Sequence, residues 1–189
     1  DLLCDRFGDA SWREIARSWR DGKLSLPEAQ RLMWATVRTT PVDLASAALE
    51  LGELRAGADE LFAAAAAGAL RLVIASGGFE TYIRPILGER LRHVHRLYAS
   101  ELHPTMDGTD ITFRHPELSA GPYAICKAKA VEASNATAFC GDGSSDRSVV
   151  QTNVQLFVVR GSLLERSCND VGRERIPFDD FRTVLDAVL

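Results

Sequence analysis

At 189 residues the chain is long enough to bury a sizeable core, as one domain or as one domain with a smaller insert. Its 46% hydrophobic and 25% charged residues are ordinary for a soluble globular protein, and a formal net charge of −4 leaves no footprint for nucleic acid or an anionic membrane. No apolar run reaches the roughly 18 residues of a bilayer span. The four scattered cysteines (Cys4, Cys126, Cys140, Cys168) lack CxxC or framework spacing, so a reducing, cytoplasmic setting is expected.

Residues 1 to about 20 are predicted helical, with Trp12, Ile15, Ala16 and Trp19 at helical spacing and Asp21-Gly22 as the break. Ser25-Leu-Pro-Glu28 has the capping-box pattern and opens a helix through Leu32, Met33, Ala35 and Val37. Thr40-Pro41-Val-Asp43 starts a third helix, to about Leu51. The texture changes near Arg55-Ala-Gly57. An Ala-rich helix from Asp59 to Ala67 precedes a β-branched run, Leu70–Ala75, which is expected to stop at a Ser76-Gly-Gly78 loop before a helix from Glu80 to Leu87. His93–Tyr98 reads as the next strand, and Met106-Asp-Gly-Thr109 as a hairpin turn. Tyr123–Ala133 reads as helix, 136–141 and Val154–Val159 as strands, Ile176-Pro-Phe178 as the start of the last stretch, and Phe181–Leu189 as the terminal helix. Helix alternating with short apolar strands predicts an α/β fold, doubly wound around a mostly parallel sheet. The expected division is a helical segment, 1–54, and an α/β core, 55–189.

The stretch Phe139-Cys-Gly-Asp-Gly-Ser-Ser-Asp146 carries the most chemistry. A buried strand leads into a Gly-flanked acid, at the strand end where open α/β sheets bind ligands. Asp142 there is a hard oxygen ligand suited to Mg²⁺, which takes one or two carboxylates and leaves its other positions to water and phosphate. The same residues also read as an Asp-Gly turn closed by a helix cap, with Ser144, Ser145 and Asp146 all able to cap. Two further pieces fall at comparable places. Ser76 follows one strand, and Lys127 and Lys129 lie on the helix before the other. The Ser76 hydroxyl and the Gly77 and Gly78 amides can donate to phosphate oxygens, and a lysine ammonium offsets their charge. Hydroxyl, lysine and carboxylate with Mg²⁺ together are what a phosphoryl group requires.

The order of these pieces resembles the haloacid dehalogenase superfamily of phosphatases. Val73-Ile-Ala-Ser-Gly-Gly-Phe79 looks like that family's second motif, Ile125-Cys-Lys127 like its third, and Gly141-Asp-Gly-Ser-Ser-Asp146 like its fourth. The resemblance implies that Ser76 and Gly77 bind phosphate, that Lys127 (or, in the other register, Lys129) neutralises charge, and that Asp142 binds Mg²⁺ with Asp146 behind it. It also implies that residues 1–54 are a small helical cap over the substrate. Ile74-Ala-Ser-Gly-Gly-Phe79 and Met106-Asp-Gly108 are similar to the phosphoserine phosphatase branch. The Ile-Cys-Lys run, Ser144-Ser-Asp-Arg147 and Pro177-Phe-Asp-Asp-Phe181 are closer to methionine-salvage relatives, the branch favoured here. The substrate implied is a small phosphorylated metabolite; nothing in the sequence speaks to oligomeric state.

The family's first motif, an Asp-x-Asp strand supplying nucleophile and general acid/base, has no counterpart. The nearest candidate, Leu2-Leu-Cys-Asp-Arg-Phe-Gly8, has Asp5 but Phe7 in place of the second carboxylate. Two expectations follow. One is a fragment of an active phosphatase, poor in catalysis because covalent chemistry needs its nucleophile, with its first core strand missing. The other is a natural pseudophosphatase that binds a phosphorylated ligand or a protein partner.

Overall fold

The computed structural model describes residues 2–189. The chain divides into two compact units. The first takes the described residues through Glu53, with Ser76–Leu91 and Tyr98–Ile125; the second takes Leu54–Ala75, Arg92–Leu97 and Cys126–Leu189.

The first unit begins with four helices: α1 (Leu2–Phe7), α2 (Trp12–Arg20), α3 (Leu26–Trp34) and α4 (Pro41–Leu51). Local chemistry starts the last two. At α3 the Ser25 N–H donates to Glu28 Oε2 at 2.8 Å and the Glu28 N–H returns to Ser25 Oγ at 3.4 Å, the reciprocal capping box expected. At α4 the Thr40 hydroxyl oxygen accepts the Asp43 N–H at 3.1 Å, and Pro41 occupies the first turn, where its missing N–H costs nothing. Helix α3 stops at Trp34, three residues short of the expected Val37.

Strand β1 spans Leu72–Phe79 and passes through Ser76-Gly77-Gly78 instead of ending before it. The reason lies in the backbone: neither glycine has a positive φ, so the chain does not turn there. Helix α6 (Glu80–Leu87) follows directly. Strands β2 (Val94–Thr105) and β3 (Gly108–Thr112) form the expected antiparallel hairpin, with Thr105 opposite Gly108 around Met106-Asp107. The core of the first unit gathers Cys4, Trp12, Met33, Trp34, Val37, Leu44, Phe79, Leu102 and Ile111. Trp34 meets Phe79 edge-on at 5.4 Å, a favourable aromatic geometry.

The second unit contains α5 (Ala58–Ala66) and the parallel sheet β4 (Ala138–Gly141), β5 (Gln155–Val159) and β6 (Ile176–Phe178), in that order. Its other helices are α7 (Lys127–Ser134), α8 (Leu163–Val171) and α9 (Phe181–Val188). Strand β5 is central, and its alternation divides the core. Leu156 and Val158 face Val149, Leu164 and Cys168, whereas Phe157 faces Phe178 and Val184 of α9. Both faces are covered, as a parallel sheet requires, so the α/β, doubly wound expectation holds for this unit. Among the described residues the strands form two three-stranded sheets, β1-β2-β3 and β4-β5-β6. Helix α7 begins at Lys127 and not at Tyr123, because Ala120 and Tyr123 exchange both backbone hydrogen bonds at 3.2 Å in a tight turn. After Gly143 the chain makes a 3₁₀ helix, Ser144–Gln151. No helix of the described residues is long and apolar enough to cross a membrane.

Candidate functional site

Asp142 stands immediately after β4, at the carboxyl end of the parallel sheet. Its side chain is exposed and accepts no hydrogen bond among the described residues; only its backbone is tied, the carbonyl accepting the Leu164 N–H at 3.1 Å. The turn that presents it is held from beneath by Asp146. One oxygen of that carboxylate, Oδ2, accepts the N–H of Asp142 at 3.1 Å and of Gly143 at 2.9 Å. The other, Oδ1, lies 3.6 Å from the Lys127 ammonium. The N-cap of the 3₁₀ helix is Gly143, not Ser144, Ser145 or Asp146 as expected; Asp146 is its third residue, and its carboxylate reaches back to the Gly143 N–H while also pairing with a lysine.

Gly141 makes this arrangement possible. A Cβ there would come 2.8 Å from Asp146 Oδ2 and 2.6 Å from the Phe139 ring, closer than real side-chain contacts allow.

Lys127 is the first residue of α7, and its side chain is only 4% exposed. Burial pushes its ammonium below the ordinary lysine range, while the facing Asp146 carboxylate opposes that shift. The start of α7 is tied to the 3₁₀ helix by the Ala128 N–H donating to Ser148 Oγ at 3.2 Å. Lys129 is exposed. Cys140, in β4, is pushed up to about 12 by burial and so stays a neutral thiol.

Ser76 and Gly77 lie on β1, in the first unit. The Ser76 hydroxyl oxygen accepts the Gly78 N–H at 2.9 Å, which leaves its own O–H free to donate. The Gly77 carbonyl accepts the Nε2 amide of Gln30 at 2.6 Å. Of the residues expected to act, Lys127, Asp142 and Asp146 therefore converge within one unit, and Ser76 and Gly77 form a second group within the other. Gln30 and Ser148 had no sequence signal: a lone Gln on a helix and a Ser inside a turn-rich stretch announce no distant partner.

The donor set suits Mg²⁺. The cation takes one or two carboxylates and keeps water, and Asp142 offers a free, exposed carboxylate at a strand end. Both oxygens of Asp146 are engaged, which fits a supporting place behind Asp142. No three His, Cys, Asp or Glu side chains of the described residues group to form a fuller cage.

This chain belongs to the haloacid dehalogenase-like hydrolases, whose family model matches residues 2–151. The motifs quoted above imply the same family. Among solved structures it is similar to a substrate-bound phosphoserine phosphatase complex, with a TM-score of 0.65 at 16% identity over 95% of this chain and 85% of that one. It is also similar to a phosphoserine phosphatase in apo form, with a TM-score of 0.60 at 15% identity over 96% of this chain and 92% of that one. At these identities the likeness is one of fold. No curated protein matches the chain.

Proposed function

We propose that the chain carries the phosphate- and Mg²⁺-binding half of a phosphomonoester hydrolase acting on a small phosphorylated metabolite. The observation that carries this reading is the linkage of Lys127, Asp146 and Asp142. A buried ammonium faces a carboxylate whose other oxygen shapes the turn that presents a free carboxylate.

In this reading Ser76 donates its O–H to a phosphate oxygen, and the Gly77 amide adds a second donor. Lys127 sets a fixed positive charge against the phosphoryl group. Asp142 holds Mg²⁺, with Asp146 keeping its loop in place; when bound, the cation would stabilise charge developing on the transferring group. The N-terminal segment 1–54 serves as the cap that excludes water from the reacting centre. No Asp-x-Asp triplet occurs in the sequence, so the aspartyl-phosphate nucleophile of this mechanism lies outside these 189 residues. The same absence favours one alternative, a module that binds a phosphorylated ligand or a protein partner without turnover.

The test is Mg²⁺-dependent hydrolysis of an aryl phosphate by this chain and by one extended upstream. The phosphatase reading predicts turnover only in an extended chain that brings an Asp-x-Asp strand, and its loss on Asp142→Asn. Absence of turnover from both, with phosphate binding retained, points to the binding module.

A further inference from the structure

The buried face of α3 is apolar apart from one residue. Leu26, Ala29, Met33 and Trp34 are buried there, and so is Gln30, 8% exposed. A buried amide is costly unless it is hydrogen-bonded, so its partner defines its purpose. That partner is the Gly77 carbonyl, reached by Gln30 Nε2 at 2.6 Å across 47 residues of sequence. Leu26, one turn earlier on the same helix face, sits over the same glycine; a Cβ on Gly77 would lie 3.5 Å from Leu26 Cδ2.

The peptide joining Gly77 to Gly78 is therefore held at both ends. Its carbonyl accepts from Gln30, and its N–H donates to Ser76 Oγ at 2.9 Å. Donation to a peptide carbonyl polarises the unit and strengthens the hydrogen bond made by its N–H. That N–H occupies a lone pair of the serine oxygen, so it selects the rotamer of Ser76 and the direction in which the remaining O–H points. On the other side, the Tyr82 hydroxyl takes the place that a Cβ at Gly78 would fill, so the backbone is closely packed there as well.

We infer that Gln30 is a positioning residue for the Ser76 hydroxyl, acting through the Gly77–Gly78 peptide, so that α3 sets the phosphate affinity of a serine it does not touch. This inference rests on the reading of Ser76 as a phosphate donor.

The experiment is a double-mutant cycle, with inorganic phosphate titrated calorimetrically into the full chain in the presence of Mg²⁺. Gln30→Met keeps length and removes the donor; Ser76→Ala removes the hydroxyl. The expected result is that Ser76→Ala weakens phosphate, that Gln30→Met weakens it about fivefold, and that Gln30→Met adds nothing in the Ser76→Ala background. Equal loss in both backgrounds marks Gln30 as merely structural and overturns the inference, as does no loss in either. If unmodified protein binds no phosphate, or Ser76→Ala binds it equally well, the reading of Ser76 fails and the inference falls with it. A measurement without substitution covers poor folding of Gln30→Met. Saturating phosphate must shift the Gln30 side-chain amide resonances of the unmodified protein, and unmoved resonances overturn the inference.

Discussion

Lys127 and Asp146 face each other at 3.6 Å with side chains only 4% and 10% exposed, and the same carboxylate accepts the backbone N–H groups of Asp142 and Gly143. The pair joins the start of α7 to the turn after β4. Removing one member of a buried pair leaves the other charged and unsolvated. Lys127→Ala is accordingly expected to destabilise the fold by about 3–5 kcal/mol. Urea denaturation of the two proteins measures this; a loss below about 1 kcal/mol would show that water already reaches the pair.

Gly141→Ala tests the turn from another direction. The added methyl would press on the Asp146 carboxylate and on the Phe139 ring, both packed in place. Overpacking of this kind costs about 1–3 kcal/mol. Thermal unfolding should show a clear fall in Tm; an unchanged Tm would mean that the carboxylate can move aside freely.

Asp142 is expected to behave oppositely. Its side chain is exposed and accepts no hydrogen bond among the described residues, so Asp142→Asn should leave stability within about 0.5 kcal/mol of the parent. Mg²⁺ binding, followed by calorimetry, should weaken at least tenfold because the anionic ligand is gone. Equal Mg²⁺ affinity in both proteins would remove Asp142 from the cation site.

The capping box of α3 gives a pH-dependent prediction. Hydrogen bonds from the Ser25 side chain and backbone hold the Glu28 carboxyl below its ordinary value. A carboxyl depressed in the folded state binds its proton more readily when unfolded, so its stabilising contribution is present at neutral pH and lost as pH falls through the acid range. Ser25→Ala should cost ~1 kcal/mol at neutral pH. It should also flatten the acid-side loss of stability. Parallel stability–pH curves for parent and variant would contradict this assignment.

What could be read from the sequence was whatever local chemistry dictates. Ser25 and Glu28 announce their helix three residues apart, and Met106-Asp-Gly108 its hairpin, because caps and turns are closed within a few residues. The strand–turn–acid order around Asp142 was legible for the same reason. Ser76-Gly77-Gly78 misled because glycines usually break strands, whereas here both stay extended. Tyr123 misled because a turn with Ala120 claims it before α7 can begin. Partners distant in sequence were not legible. Nothing in the spacing of Gln30 points to Gly77, and nothing in the spacing of Lys127 and Lys129 says which of the two is buried against Asp146.

In the proposed reading Lys127, Asp142 and Asp146 form one Mg²⁺-assisted phosphate site. Its most direct measurement is the affinity of the unmodified chain for inorganic phosphate, with and without Mg²⁺, beside Asp142→Asn. Binding should tighten several-fold with Mg²⁺ and lose that gain on Asp142→Asn. Phosphate affinity indifferent both to Mg²⁺ and to residue 142 would contradict it.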